Sequence, residues 1–244
     1  MEENALLFSE VSKSYGAHRA LHSFSLAVPP GEFFGLVGVN GAGKTTLIKC
    51  LLDFCALDAG AAEIFGLPHH RSSARARLAF LPERFVPPYY LTGRDFIDYM
   101  MRLQSRRYDA AATEQMLRAL DLDASALRLP VRDFSKGMTQ KLGLAACLLS
   151  GKELLVLDEP TSGLDPKARA LLKTQLRALR AEKRTVFLTS HALADVEEIC
   201  DRMAIVHAGR LMFVGTPAQL CERFRVADIE QAFLLCIDTA LEPA

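Results

Sequence analysis

Residues 33–46 read Phe-Phe-Gly-Leu-Val-Gly-Val-Asn-Gly-Ala-Gly-Lys-Thr-Thr. Phe33 to Val37 is a short apolar run of the kind that forms a buried strand, and Lys44 to about Phe54 reads as a helix. The loop between them fits GxxxxGK[ST], with Gly38, Gly43, Lys44 and Thr45 at the named positions. Glycines at these points let backbone N–H groups curl around phosphate oxygens with no Cβ in the way. The helix that follows adds its positive N-terminal end. Lys44 would reach the β- and γ-phosphates, the Thr45 hydroxyl would hold Mg²⁺, and Asn40, Gly41, Ala42 and Thr46 would complete the lining. A strand, a glycine loop and a helix in this order predict a nucleotide site on an α/β fold.

Working outward from this stretch, Ala5 to Phe8 and Ala20 to Val28 read as antiparallel strands around a turn at Tyr15-Gly16. The middle third is helical. Thr92 caps a helix whose expected apolar face is Phe96, Tyr99, Met100 and Leu103, and a second helix carries Met116, Leu117 and Leu120. A third starts near Ser135, with Met138, Leu142, Ala145, Ala146 and Leu149 on one side. The last third returns to α/β, with strands at Leu154 to Leu157 and Val186 to Thr189 and a helix start at Asp165-Pro166. Ala208-Gly209 marks a hairpin, and Thr216 with Gln219 forms a capping box. The expected architecture is a single α/β domain over 1–244, with a phosphate-loop core and an antiparallel β subdomain in 1–85 and 151–220. A helical subdomain is inserted at 86–150, and 221–244 forms a tail.

Composition narrows the function. The chain has 244 residues, half of them apolar and 24% charged, with a formal net charge of zero. Zero net charge argues against a broad basic field, so no nucleic-acid partner is expected. The six cysteines show no metal spacing and read as reduced thiols. No apolar run approaches the ~18 residues of a spanning helix, and Met1-Glu2-Glu3-Asn4 does not open like a signal peptide. Any service to a membrane is expected to run through a partner.

Leu154 to Glu159 is a buried-strand run ending in two carboxylates. Asp158 can ligate Mg²⁺, and Glu159 can polarise a water towards a γ-phosphate. Alone, this pair could be a solvated strand end; after a phosphate loop, the catalytic reading is favoured.

With these residues in place, the chain resembles the nucleotide-binding domain of the ATP-binding cassette (ABC) family over about residues 5–220. The loop at Gly38 to Thr46 resembles its Walker A motif, and Leu154 to Glu159 its Walker B. Phe134-Ser135-Lys136-Gly137-Met138 is similar to the signature usually written LSGGQ, Ser162-Gly163-Leu164-Asp165 to the D-loop, and His191 to the switch histidine. Tyr15 falls where the family places an aromatic that stacks on adenine. The resemblance implies an ATPase using ATP and Mg²⁺, with Lys44, Glu159 and His191 catalytic. It also implies that Ser135, Lys136 and Gly137 contact the ATP of a second nucleotide-binding subunit, packed head to tail. Membrane-spanning transporter subunits would be the further partner, and the implied location is cytoplasmic, peripheral on the inner face of the cell membrane.

Two departures stand out. Lys136 replaces the first glycine of the signature, while Ser135 and Gly137 survive. Glu83 takes the place of the Q-loop glutamine and, with Thr45 and Asp158, completes the expected metal set. Leu81-Pro82-Glu83 and Ser135 to Met138 both resemble ATPase subunits of bacterial exporters, as does the tail Asp228 to Leu234. The competing readings are a soluble ABC-type ATPase acting on a protein machine, and a cassette that binds ATP without hydrolysis. His69-His70 reads as a solvated loop rather than a metal site, and Arg71, Arg75, Arg77 and Arg84 as a solvated basic face.

Overall fold

The computed structural model describes residues 3–238. Along the chain lie β1 (Leu6–Tyr15), β2 (His18–Val28), β3 (Phe33–Val37), α1 (Lys44–Leu51), β4 (Ala59–Ile64), β5 (Leu67–Pro68), α2 (Ser72–Arg75) and β6 (Leu78–Leu81). Next come α3 (Gly93–Leu103), α4 (Ala110–Ala119), α5 (Lys136–Leu149), β7 (Leu154–Asp158), α6 (Pro166–Ala178), β8 (Thr185–Ser190) and α7 (Leu193–Ile199). The chain closes on β9 (Arg202–His207), β10 (Arg210–Gly215), α8 (Pro217–Phe224) and α9 (Ile229–Asp238).

The strands form two sheets, an antiparallel one in the order β2-β1-β4-β5 and a six-stranded one in the order β10-β9-β3-β8-β7-β6. In the larger sheet β9, β3, β8, β7 and β6 run parallel, and only β10 is antiparallel. The fold is thus α/β with a phosphate-loop core, as the alternation of elements predicts.

Both faces of the parallel sheet are covered, which is why its strands are continuous apolar runs. Side chains alternate between the faces. Phe34, Leu36, Val156 and Phe187 join α1 and the antiparallel sheet in one core. Phe33, Val37, Leu155, Leu157, Val186 and Leu188 face α3 to α9 in the other. The first core is aromatic: Phe8 meets Phe24 edge-on and Phe34 stacks on Phe187, each pair at 6.0 Å between centroids. Each of these buried rings is worth about 1.5–3 kcal/mol.

Three expectations need correction. On α3 the buried residues are Phe96, Ile97 and Met101, while Tyr99 and Leu103 are exposed. Gly93, at the start of α3, lies so close to the Ala126 carbonyl that a Cβ would stand 2.8 Å from it. That close docking turns the Ile97 flank inward. On α5 the buried residues run without a break from Gln140 to Leu148 rather than along one side, because the helix is central. His69 is not solvated: it is buried, with Nδ1 3.0 Å from the Ala62 carbonyl oxygen. The arginines near it are also partly engaged, Arg75 donating to the His69 carbonyl at 2.7 Å and Arg77 forming a bidentate pair with Glu153.

The Thr92 and Thr216 capping boxes form, with Asp95 and Gln219 as their third residues. Of the expected tail, 239–244 lie outside the described residues; α9 packs through Ile229, Ala232 and Cys236.

Candidate nucleotide site

Strand parity places the acidic groups. On β7, Leu154 and Val156 face the α1 side, so Asp158 does too. On β8, Phe187 faces that side, so Thr189 does as well. Asp158 and Thr189 are direct partners in the β7–β8 ladder. The Thr189 hydroxyl donates to Asp158 Oδ1 at 2.5 Å and accepts the Glu159 N–H at 3.0 Å. On the other side of Asp158, the Thr45 hydroxyl at the start of α1 donates to Oδ2 at 3.3 Å. Thr189 is the residue whose part the sequence reading missed. Its signal was present: a hydroxyl residue two places after Phe187, on the same inward face of the strand.

The loop is held by its surroundings. Gly43 has φ of 112°, outside the range comfortable for a side chain. A Cβ on Gly38 would collide with the Val206 carbonyl, and one on Gly43 would stand 2.7 Å from the Ala20 carbonyl. The β9–β10 turn pins the loop from behind, since the Gly209 N–H donates to the Ala42 carbonyl at 2.9 Å. Lys44 is buried and donates from Nζ to the Gly38 carbonyl at 2.5 Å.

Glu159 follows the strand end with φ of 49°, a left-handed conformation that is uncommon for a residue with a Cβ. Its Oε1 is 4.0 Å from Lys44 Nζ, and its Oε2 is 2.8 Å from His191 Nδ1. Tyr15, Asn40, Gly41, Ala42, Gly43, Lys44, Thr45, Thr46, Glu83, Asp158, Glu159 and His191 all line one cleft of about 410 Å³, joined by His18, Ala20 and Val39. Gly38 does not line it; its carbonyl accepts from the Lys44 ammonium behind the lining.

Burial pushes the Asp158 carboxyl up, against the hydrogen bonds from Thr189 and Thr45, and Glu83 adds to the rise. Burial likewise draws the Lys44 ammonium down, opposed by Glu159, Asp158 and Glu83. Three carboxylates thus face one ammonium.

The signature residues stand elsewhere. Ser135 is exposed and caps α5, accepting the Met138 N–H at 3.2 Å. Ser135, Lys136 and Gly137 are absent from the lining of the nucleotide cleft. Lys136 lines a neighbouring groove with Arg84 and Tyr89, one that also shares Glu83. Asp165 caps α6 by accepting the Ala168 N–H at 2.9 Å.

The residues fit magnesium and a phosphate chain. Among the described residues no three His, Cys, Asp or Glu side chains form a metal cage. A hydroxyl and a carboxylate meet at the mouth of a glycine loop, so a cation here would share its oxygens between protein and phosphates.

A profile of the ABC transporter family matches residues 21–162. The chain belongs to the ABC transporter family. It is of the ATP-binding type, an ATPase. A Nod factor export ATP-binding protein I from Paraburkholderia xenovorans is 36% identical, over 96% of this chain and 78% of that protein. An uncharacterised ABC transporter ATP-binding protein from Synechocystis sp. is also 36% identical, over 90% of this chain; the match spans 65% of that relative's length. Among solved structures, an ATP-binding subunit of an ABC transporter superposes with a TM-score of 0.84 at 28% identity, covering 95% of this chain and 99% of that one. A bacterial Atm1-family ABC exporter with ATP bound shares the fold, with a TM-score of 0.81 at 24% identity over 100% of this chain and 43% of that one.

Proposed function

We propose that this chain is the ATP-hydrolysing subunit of a membrane exporter, working as a head-to-tail pair of nucleotide-binding domains. One observation carries the reading: the phosphate loop and the carboxylates line a single cleft, while Ser135 and Gly137 do not line it. A site built this way is completed by a second copy or a relative.

In this reading Tyr15 stacks on adenine, and the loop from Gly38 to Thr46 with Lys44 holds the phosphates. Thr45, Asp158 and Glu83 would hold magnesium, which would supply positive charge against the phosphate oxygens. Glu159 accepts a proton from the attacking water, and His191 orients that carboxylate and meets the γ-phosphate. Residues 86–150 form the arm that presents Ser135, Lys136 and Gly137 to the partner's ATP, with Asp165 beside them. Glycine-to-lysine at 136 adds a positive charge at that contact.

Export is favoured by the relatives that carry it in their names. Among the described residues no helix is long and apolar enough to cross a membrane; in this reading membrane-spanning subunits supply the path. The place of work is the cytoplasmic side, peripheral on the inner face of the cell membrane.

The test has two arms. Glu159→Gln should retain ATP binding, lose turnover by about 100-fold or more and run as a dimer with ATP on size exclusion. Brisk hydrolysis by that variant removes Glu159 from the base role. Tagged protein drawn from solubilised membranes should bring a multi-span chain with it; a clean soluble partner instead supports the protein-machine reading.

A further inference from the structure

We propose that Cys50 and Cys55 form an oxidisable dithiol behind the adenine platform, through which a peroxide weakens nucleotide binding. The inference rests on the reading of Tyr15 as that platform. Helix α1 begins at the phosphate loop and ends in a tight reversal. The Asp53 N–H donates to the Cys50 carbonyl and the Phe54 N–H to the Lys49 carbonyl, with Asp53 left-handed at φ of 63°. This helix stop folds the chain back, so that the Cys55 sulfur lies 3.5 Å from the Cys50 sulfur. The Tyr15 hydroxyl donates to the same Cys55 sulfur, also at 3.5 Å. One thiol therefore touches both the buried cysteine of the phosphate-loop helix and the aromatic that faces the cleft.

The chemistry follows from exposure. Cys55 is half-buried and Cys50 fully buried, and burial pushes the Cys50 thiol up to about 12. Cys55 is thus the sulfur that meets a peroxide first. Its thiol takes one peroxide oxygen to give a sulfenic acid, and the reduced peroxide leaves as an alcohol or water. The Cys50 sulfur then attacks the Cys55 sulfur. An S–S bond forms, the S–OH bond breaks, and hydroxide leaves with the Cys50 proton as water. The high proton affinity of Cys50 makes this second step the slow one. Closing the bond draws the sulfurs from 3.5 Å to about 2.05 Å. That contraction exceeds the slack of the 3.5 Å contact between the Cys55 sulfur and the Tyr15 hydroxyl, so the cross-link shifts the acceptor under the ring and leaves Thr46 as the hydroxyl's other partner.

The experiment uses the whole chain, hydrogen peroxide and a fluorescent ATP analogue. Both cysteines fall in one tryptic peptide, residues 50–71. After peroxide that peptide should resist alkylation and lose two hydrogen masses, while analogue affinity falls about threefold to tenfold. Dithiothreitol should restore both. Cys55→Ser, whose hydroxyl can still accept from Tyr15, should bind normally and ignore peroxide, while Cys50→Ala should bind normally, stop at the Cys55 sulfenic acid and form no cross-link. A peptide that stays fully alkylatable, or a cross-link that leaves affinity unchanged, overturns the proposal. If reduced protein binds no analogue at all, the nucleotide reading falls, while the alkylation result still decides whether the dithiol forms.

Discussion

Strands β6 and β7 lie side by side and run in the same direction, and each leads into a carboxylate at the same end of the sheet. Their acids are held very differently. β7 is flanked by β6 and β8, so Asp158 has Thr189 opposite it and Thr45 in front, and it is 2% exposed. β6 is the edge strand; Pro82 ends its pairing and Glu83 stands exposed at the rim of the cleft. An interior strand can preset an acid through its neighbours, whereas an edge strand leaves its acid free to reorient when a ligand arrives. The β7 acid carries the desolvation cost of being preset, and the β6 acid does not.

This contrast can be broken by substitution. The largest effect should come from Asp158→Asn, with turnover lowered about 100-fold or more and a raised Mg²⁺ requirement in a phosphate-release assay. The same change should raise the thermal midpoint of the nucleotide-free protein near neutral pH. The sign follows from the pKa direction: a carboxyl whose folded pKa is raised contributes stability at low pH and loses it as pH climbs through that value. The gain should therefore vanish in acid, and a lowered midpoint at neutral pH would show that the hydrogen bonds outweigh burial.

An intermediate effect is expected from Thr189→Val, which leaves the Glu159 N–H and an Asp158 oxygen short of a partner. Chemical unfolding should show a loss of about 1–3 kcal/mol, with a parallel fall in turnover; an unchanged denaturation midpoint would mean that water replaces the hydroxyl. Glu83→Gln should be mildest, with turnover within about threefold and a shifted Mg²⁺ optimum. Unchanged turnover and Mg²⁺ dependence would show that the charge at this position is immaterial, and a collapse as deep as that of Asp158→Asn would erase the distinction between the two strand ends.

Much of this was legible in the linear chain because the signals are local. A glycine loop before a helix, a threonine three residues ahead of a glutamine, and a run of apolar residues each report a conformation set within a few residues. The same holds for the phosphate loop, for Asp158 and Glu159, and for the hairpin at Ala208-Gly209. The rotation of α3 was not legible, because Phe96 belongs both to the expected face and to the buried one, and the buried one is set where Gly93 docks on Ala126. The burial of His69 escaped for the same reason: its partner is a carbonyl on a neighbouring strand.

Residue order thus established the α/β fold with its strand, glycine loop and helix, and singled out the acids that meet in one cleft, since backbone conformation and strand parity depend on near neighbours. Three-dimensional packing decided which of those acids are held and which are free. It also set Thr189 beside Asp158, brought Cys55 against Cys50 and Tyr15, and kept the signature helix start out of the nucleotide cleft. Except for the Cys50–Cys55 turn, each of these outcomes depends on contacts between segments far apart in the chain, whose positions are fixed only when both faces of the sheet are covered.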